Sequence, residues 1–304
     1  EGEDVFTYDS MQFHTAVGTF LVPKAVATKE HFNRFCDILE ISVRTGISSE
    51  AFIRQVQVFA PDVNKDRLRD LYGHLVDLHH RGLNGLWARL LKNNFAPLVV
   101  GQFDYIVGNP PWVNWENLPE MYRKESLQLW HRYGLMPPRG MAAMMGSSKM
   151  DIAMLMTYVV ADLLLKPGGQ IGFVITQTVF KTAGAGQSFR RFSIPKVHSK
   201  PVPLRVVHVD DMVALKPFEG ASNRTAVVIL VKGKPTRYPV SYTLWLKNLK
   251  RGARFTYDSD LDEVIRATQC VQLIAEPVDP GDPTSPWLTA RPKVVKAIRK
   301  GLGL

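Results

Sequence analysis

Cysteine is almost absent: Cys36 and Cys270 are the only thiols in 304 residues. They are far apart and in no metal-ligand spacing, which excludes a disulfide framework or a zinc site and fits a reducing cytoplasm. Long apolar runs are also missing. The longest, residues 155–165, is broken by Asp162 and falls short of the roughly 20 residues a bilayer-crossing helix needs. Residues 1–9 are acidic and lack the basic start and apolar stretch of a signal peptide. The first residue is not Met, so the chain reads as a piece of a longer protein. There is no internal repeat and no low-complexity tract. Before Phe103 no strand pattern is followed by clustered glycines, and Gly18 and Gly73 are isolated.

What remains is enough for a large core. Hydrophobic residues make up 45% and charged residues 22%, which excludes disorder and fibrous structure. Lys and Arg outnumber Asp and Glu by 38 to 28, a net +10, which favours a polyanionic partner such as nucleic acid, with a membrane surface and plain solubility as the alternatives. In the first hundred residues apolar side chains recur at helical spacing: Phe32, Phe35, Ile38 and Leu39, then Leu68, Leu71, Leu75 and Leu78. This predicts a mostly helical region over 1–100, with helices over 29–59 and 65–93 separated at Ala60, Pro61 and Asp62, Asp62 serving as the cap. His74, His79 and His80 lie on the second helix and need no metal to explain them.

After Gly101 the period changes. Phe103 to Val107 (FDYIV) reads as a buried parallel strand, followed by a helix over 151–165 that Lys166, Pro167, Gly168 and Gly169 stop. Further strands are expected over 170–176, 204–209, 225–231 and 238–245, which together predict a doubly wound α/β sheet over 101–245. Residues 246–304 read as a linker, centred on 277–286, and the start of a further region with a short basic helix over 291–300.

Asn109, Pro110, Pro111 and Trp112 follow the first strand. In an open α/β sheet, ligands gather beyond the carboxyl ends of the strands. Two prolines fix two φ values and remove two backbone donors, so the loop is a stiff acceptor site. An Asn side-chain oxygen and a neighbouring carbonyl can together receive both hydrogens of an –NH2 group, and Trp112 offers a flat face for a planar base. Such acceptors draw an adenine amino nitrogen toward sp3 character and aim its lone pair at an electrophile such as a methyl sulfonium. A base inside a duplex would have to flip out to reach them.

FDYIVGNPPW resembles motif IV of the N6-adenine DNA methyltransferases, (N/D)PP(Y/F/W) after a strand. Residues 164–176 (LLKPGGQIGFVIT) are similar to the turn and strand that follow it in class I methyltransferases. Pro217, Phe218 and the run 223–230 (NRTAVVIL) resemble motif VIII, whose aromatic residue packs on the other face of the flipped adenine. The match covers roughly residues 85–245 and is closest in texture to the large type IIG restriction-modification and BREX-like phage-defence enzymes. The resemblance implies the later half of a Rossmann-like class I methyltransferase sheet behind a helical N-terminal region. It also implies adenine-specific DNA methylation with S-adenosylmethionine as cofactor, double-stranded DNA as partner, and nuclease or specificity domains elsewhere in the full-length protein. The glycine-rich cofactor turn and its acidic ribose ligand are not in this sequence, so most of the cofactor site is expected upstream.

By the same resemblance Asn109 and the Pro110 carbonyl hold the amino group, Pro111 stiffens the loop, and Trp112 and Phe218 sandwich the base. Asp151 either faces the cofactor, as motif V implies, or serves only the helix dipole at its N-terminus. Residues 181–205 hold Lys181, Arg190, Arg191, Lys196, Lys200 and Arg205 and no acid, and AGAG at 183–186 predicts a mobile DNA-backbone contact led by Lys181, Arg190 and Arg191. Asp104 either orients the loop or caps the strand, Trp115 packs, and Met141, Met144, Met145 and Met150 form either a lid or a loose loop. The rival readings are methylation of another planar amino group, RNA guanine or protein glutamine, and a non-catalytic nucleic-acid-binding fragment.

Overall fold

The computed structural model describes residues 10–15, 18–82, 101–136, 150–218, 224–248, 256 and 258–301. Met141, Met144, Met145 and the Asn223 start of the second motif lie outside them. Two compact units divide the chain, residues 1–101 and residues 102–304. No helix among the described residues is long and apolar enough to cross a membrane.

The first unit pairs an antiparallel hairpin, β1 (Ser10–Thr15) and β2 (Gly18–Pro23), with helices α1 (Phe32–Thr45), α2 (Ser49–Gln57) and α3 (Lys65–His80). The hairpin adds two strands to a region that is otherwise helical, as its mostly helical pattern predicts. The single helix expected over 29–59 is two: Gly46 adopts the left-handed conformation at φ 64° and ends α1, and Ser48 caps α2 by accepting from the Ala51 N–H. Asn64, not Asp62, caps α3, its side chain accepting from the Asp66 and Arg67 N–H groups. The core contains Phe20, Phe35, Leu39, Phe52, Leu71 and Leu75. His74 stacks on Phe20 at 4.8 Å.

The second unit is a Rossmann-like α/β sheet, mixed rather than all-parallel. Its strands are β3 (Phe103–Gly108), β4 (Leu165–Thr176), β6 (Val202–Asp211), β7 (Thr225–Lys232), β8 (Val240–Lys247), β9 (Thr268–Pro277) and β10 (Trp287–Ala290), in the order β10-β9-β8-β6-β7-β4-β3; a two-residue strand β5 (Ser193–Ile194) pairs with β6. β3 runs parallel to β4, β7 is antiparallel to both β4 and β6, and β6 is parallel to β8. The carboxyl ends of β3, β4, β6 and β8 therefore share one edge, and so does the start of β7.

Three expectations change here. β3 is parallel but not buried: among the described residues it pairs only with β4, leaving Tyr105 74% and Val107 84% exposed. Lys166 to Gly169 do not separate helix from strand. Helix α5 (Ile152–Leu163) has already ended, and the four residues form a bulge in β4, across which Phe103 pairs with Leu165 but Tyr105 with Gln170. A Cβ at 169 would meet the Asp104 carbonyl at 3.0 Å, so any residue but glycine would press the two strands apart by a few tenths of an ångström. Residues beyond 246 are not a separate region, because β9 and β10 extend the same sheet and 277–286 is the turn between them. Helix α4 (Glu120–Arg132), α5, the short helices α6 (Thr178–Lys181) and α7 (Ala185–Phe189), α8 (Leu261–Ala267) and α9 (Pro292–Gly301) complete the unit. The core gathers α5 (Met154, Leu155, Tyr158), β4 (Ile171, Phe173, Ile175) and β7 (Ala226, Val228, Leu230).

Candidate nucleobase site at the carboxyl edge of the sheet

Asn109 leaves the end of β3 with its side chain exposed and unbonded among the described residues, while Pro110 behind it is buried and Pro111 exposed. One proline anchors the turn in the protein and leaves the Asn free to present its acceptor. Trp112 is half-buried, and its indole N–H donates to the Val174 carbonyl of β4 at 3.1 Å, which fixes the plane of the ring. Phe218, 38% exposed, lies in the connection from β6 to β7, so strand direction alone brings it to the same edge. The two rings meet at 5.3 Å with an interplanar angle of 81°. A base held between two parallel faces needs roughly 7 Å between them, two carbon contact distances. As folded, Phe218 closes the slot edge-on.

Asp151 is 4% exposed. One carboxylate oxygen caps α5 through the Ala153 N–H (3.0 Å), and the other accepts from the Thr176 hydroxyl (3.1 Å). Burial raises its pKa, the two hydrogen bonds opposing. Each oxygen thus has a partner within the fold, and the cap role of Asp151 is satisfied by α5 itself. Around it, the Trp115 backbone N–H donates to the Met150 carbonyl (2.7 Å) and the Ile152 backbone N–H to the Val113 carbonyl (2.9 Å), so the segment leaving the Asn-Pro-Pro-Trp turn is sewn to the start of α5. Trp115 packs against the core. Asp104 pairs with Lys166 of the bulge at 2.8 Å, an exposed contact of little energetic weight.

The basic segment is corrected most. Arg190 is 1% exposed; its guanidinium donates to the Thr284 carbonyl at 2.7 Å and the Val179 carbonyl at 2.6 Å. Gly186 makes room for it, since a Cβ there would strike the Arg190 guanidinium. The AGAG stretch is thus a bend at Ala183 and Gly184 that leads into the short helix α7, closed over an internal arginine. Lys181 is half-buried, bonded to the Trp287 carbonyl and the Thr289 hydroxyl of β10. Neither is placed to meet a phosphate. Lys196 pairs with the buried Asp162. Arg191 is exposed, although its guanidinium donates to the Gly134 and Ser188 carbonyls.

Burial pushes the Lys181 ammonium down to about 8, with the Asp211 carboxylate pulling the other way. A lysine in the unfolded chain titrates near 10.5, so between these values the unfolded chain binds more protons than the folded one and stability is expected to rise with pH. Lys181→Met should abolish that rise, read as the difference between urea midpoints at about pH 7 and about pH 9.5. An unchanged pH dependence would place the ammonium in solvent.

Three buried polar residues at this edge escaped the sequence reading: Gln177 after β4, Asp211 at the end of β6 and Tyr242 in β8. Gln177 Nε2 donates to Asp211 Oδ2 at 2.9 Å and the Tyr242 hydroxyl donates to the same oxygen at 2.6 Å. Burial, with the neighbouring carboxylate, pushes the Tyr242 phenol far above its ordinary range.

Residues 61–200 match the family model described as Eco57I restriction-modification methylase. The type II methyltransferases M.HincII and M.HindII of Haemophilus influenzae are each 28% identical over 136 residues, 44% of this chain. The chain spans 23% and 22% of their lengths, under a quarter. Among solved structures, a nuclease-deletion mutant of the Type ISP restriction-modification enzyme LlaGI with a DNA substrate mimic is 14% identical over 65% of this chain and 16% of that one, at a TM-score of 0.38. The M protein of the type I restriction enzyme EcoKI is 13% identical over 66% of this chain and 42% of that one, at 0.32.

Proposed function

Because residues 61–200 carry the restriction-modification methylase pattern, we propose that the chain is part of a DNA adenine N6-methyltransferase serving restriction-modification or phage defence. The observation that carries this reading is the exposed Asn109 at the carboxyl end of β3, beside a Trp112 ring fixed by β4 and a Phe218 ring at 5.3 Å. Asn109 Oδ1 and the Pro110 carbonyl accept the two amino hydrogens, and their pull strengthens as positive charge develops on nitrogen. Pro111 holds the turn rigid, so the acceptors cost little reorganisation. Trp112 supplies a fixed stacking face. Phe218 swings aside to admit the flipped base and then packs on its second face.

S-adenosylmethionine supplies the methyl group in this reading. Asp151 is 4% exposed and hydrogen-bonded inside the fold through both oxygens, and in this reading most of the cofactor site is contributed by residues outside this segment. That placement also favours a second reading for this segment taken alone, a nucleic-acid-binding piece without its own cofactor site. Calorimetry with S-adenosylmethionine on the isolated segment is expected to give no heat, and micromolar binding would contradict this placement. Of the basic residues, Arg191 alone among Lys181, Arg190 and Arg191 is exposed, and it is retained as the backbone contact.

The test is transfer of radiolabelled methyl groups by the full-length protein to DNA, RNA and protein side by side. Label in DNA, recovered as N6-methyladenine, is expected. Label confined to RNA or protein would overturn the substrate assignment.

A further inference from the structure

We propose that Gln177 is a positioning residue: it staples both ends of the segment carrying Phe218 to the strand end that also holds Trp112, and so sets the gap between the two rings. The inference rests on the adenine-methylation reading.

One side of the gap hangs from the last residues of β4. Val174 O holds the Trp112 indole at 3.1 Å, and the Thr176 hydroxyl holds Asp151, whose neighbours Met150 and Ile152 bind the 113–115 segment. The other side hangs from the next residue. The Gln177 backbone N–H donates to the Arg224 carbonyl at 2.6 Å, at the far end of the β6–β7 connection. Its side-chain amide donates to Asp211 at the near end, and the second Asp211 oxygen accepts from Val213 N–H at 3.0 Å, starting the turn. Met212 N–H to Thr225 O (3.0 Å) closes the connection across its base. Four consecutive residues, Val174 to Gln177, thereby carry both aromatic walls.

Two observations argue that this geometry is kept for more than stability. Gln177 Oε1 is buried without a hydrogen-bond partner among the described residues. A buried polar group left so is a cost that an apolar residue would avoid, and it calls for another explanation. Lys216, two residues before Phe218 and directly before Pro217, sits at φ 51°, a left-handed conformation unfavourable for lysine that persists only where the surroundings impose it. The turn is held from its ends, and Gln177 touches both.

The experiment uses the full-length protein on plasmid DNA and separates kcat from KM. Gln177→Leu keeps the backbone bond to Arg224 and removes the side-chain half of the staple, the bond to Asp211; kcat is expected to fall roughly tenfold to a hundredfold with KM for DNA unchanged, because misplacement rather than lost binding is at issue. Gln177→Glu sets a second carboxylate against Asp211, where the other facing titratable groups are Tyr242 and Lys181. Its kcat is expected to recover as pH is lowered toward about 6 and the two carboxylates share a proton, relative to wild type at the same pH. Should Gln177→Leu fail to fold, Tyr242→Phe removes the second donor on the same oxygen and must lower kcat in the same KM-independent way. Wild-type kcat in folded Gln177→Leu, no acid recovery in Gln177→Glu, or unchanged kcat in Tyr242→Phe overturns the proposal. A wild-type protein that does not methylate DNA overturns the functional reading itself.

Discussion

Asn109→Ala in the full-length protein is expected to lower methyl transfer to DNA by roughly a thousandfold, the cost of deleting a preorganised acceptor aimed at developing charge. Folding should be untouched. The side chain is exposed and makes no hydrogen bond among the described residues, and surface changes of that kind stay within about 0.5 kcal/mol. The two halves of the prediction separate a chemical role from a structural one. A fall in kcat with an unchanged melting temperature supports the acceptor role, and a protein that melts early would show that Asn109 holds the turn instead.

Arg190→Ala is expected to do the reverse, destabilising the second unit without touching the chemistry directly. Its guanidinium fills a buried site and satisfies the Val179 and Thr284 carbonyls, so truncation leaves a cavity and two stranded acceptors, together about 3 kcal/mol or more. Burial holds its pKa down at about 10, still far enough above neutrality for the group to stay charged. Urea denaturation measures the loss. A change under about 1 kcal/mol would contradict the internal placement. The salt dependence of DNA binding gives an independent check: a phosphate contact removed would lower the slope by about one, whereas an internal arginine leaves it unchanged.

The contrast between these two residues shows what the sequence disclosed. Asn109 was legible because two prolines and a short apolar strand constrain the backbone on both sides of it, and parallel strands place their carboxyl ends predictably. Arg190 was not, because its burial depends on a glycine four residues earlier and on carbonyls of Val179 and Thr284 that fold toward it from distant positions. Trp112 and Phe218, 106 positions apart, were brought together by motif resemblance. The structure adds their edge-on contact and the antiparallel β7 that makes the Phe218 connection turn back at the right edge. The apolar run of β3 predicts burial, but exposure depends on its neighbours in the sheet, and a strand's own residues do not state how many it has. Gln177, Asp211 and Tyr242 were illegible for a related reason. They lie on two strands and just past the end of a third, and only the Asp210–Asp211 pair closing an apolar run hinted that a carboxylate would be drawn inside. The sequence around Asp151 does not disclose its second partner, because Thr176 lies 25 positions on.

The most direct test of the acceptor turn is mass spectrometry of nucleosides from DNA treated with the full-length protein as wild type, Asn109→Asp and Asn109→Ala. Aspartate keeps an acceptor oxygen in place and alanine removes it. N6-methyladenine is therefore expected from wild type and, at reduced yield, from Asn109→Asp, with none above background from Asn109→Ala. Equal yields from the two variants, or methylation by Asn109→Ala at the wild-type level, would contradict the account.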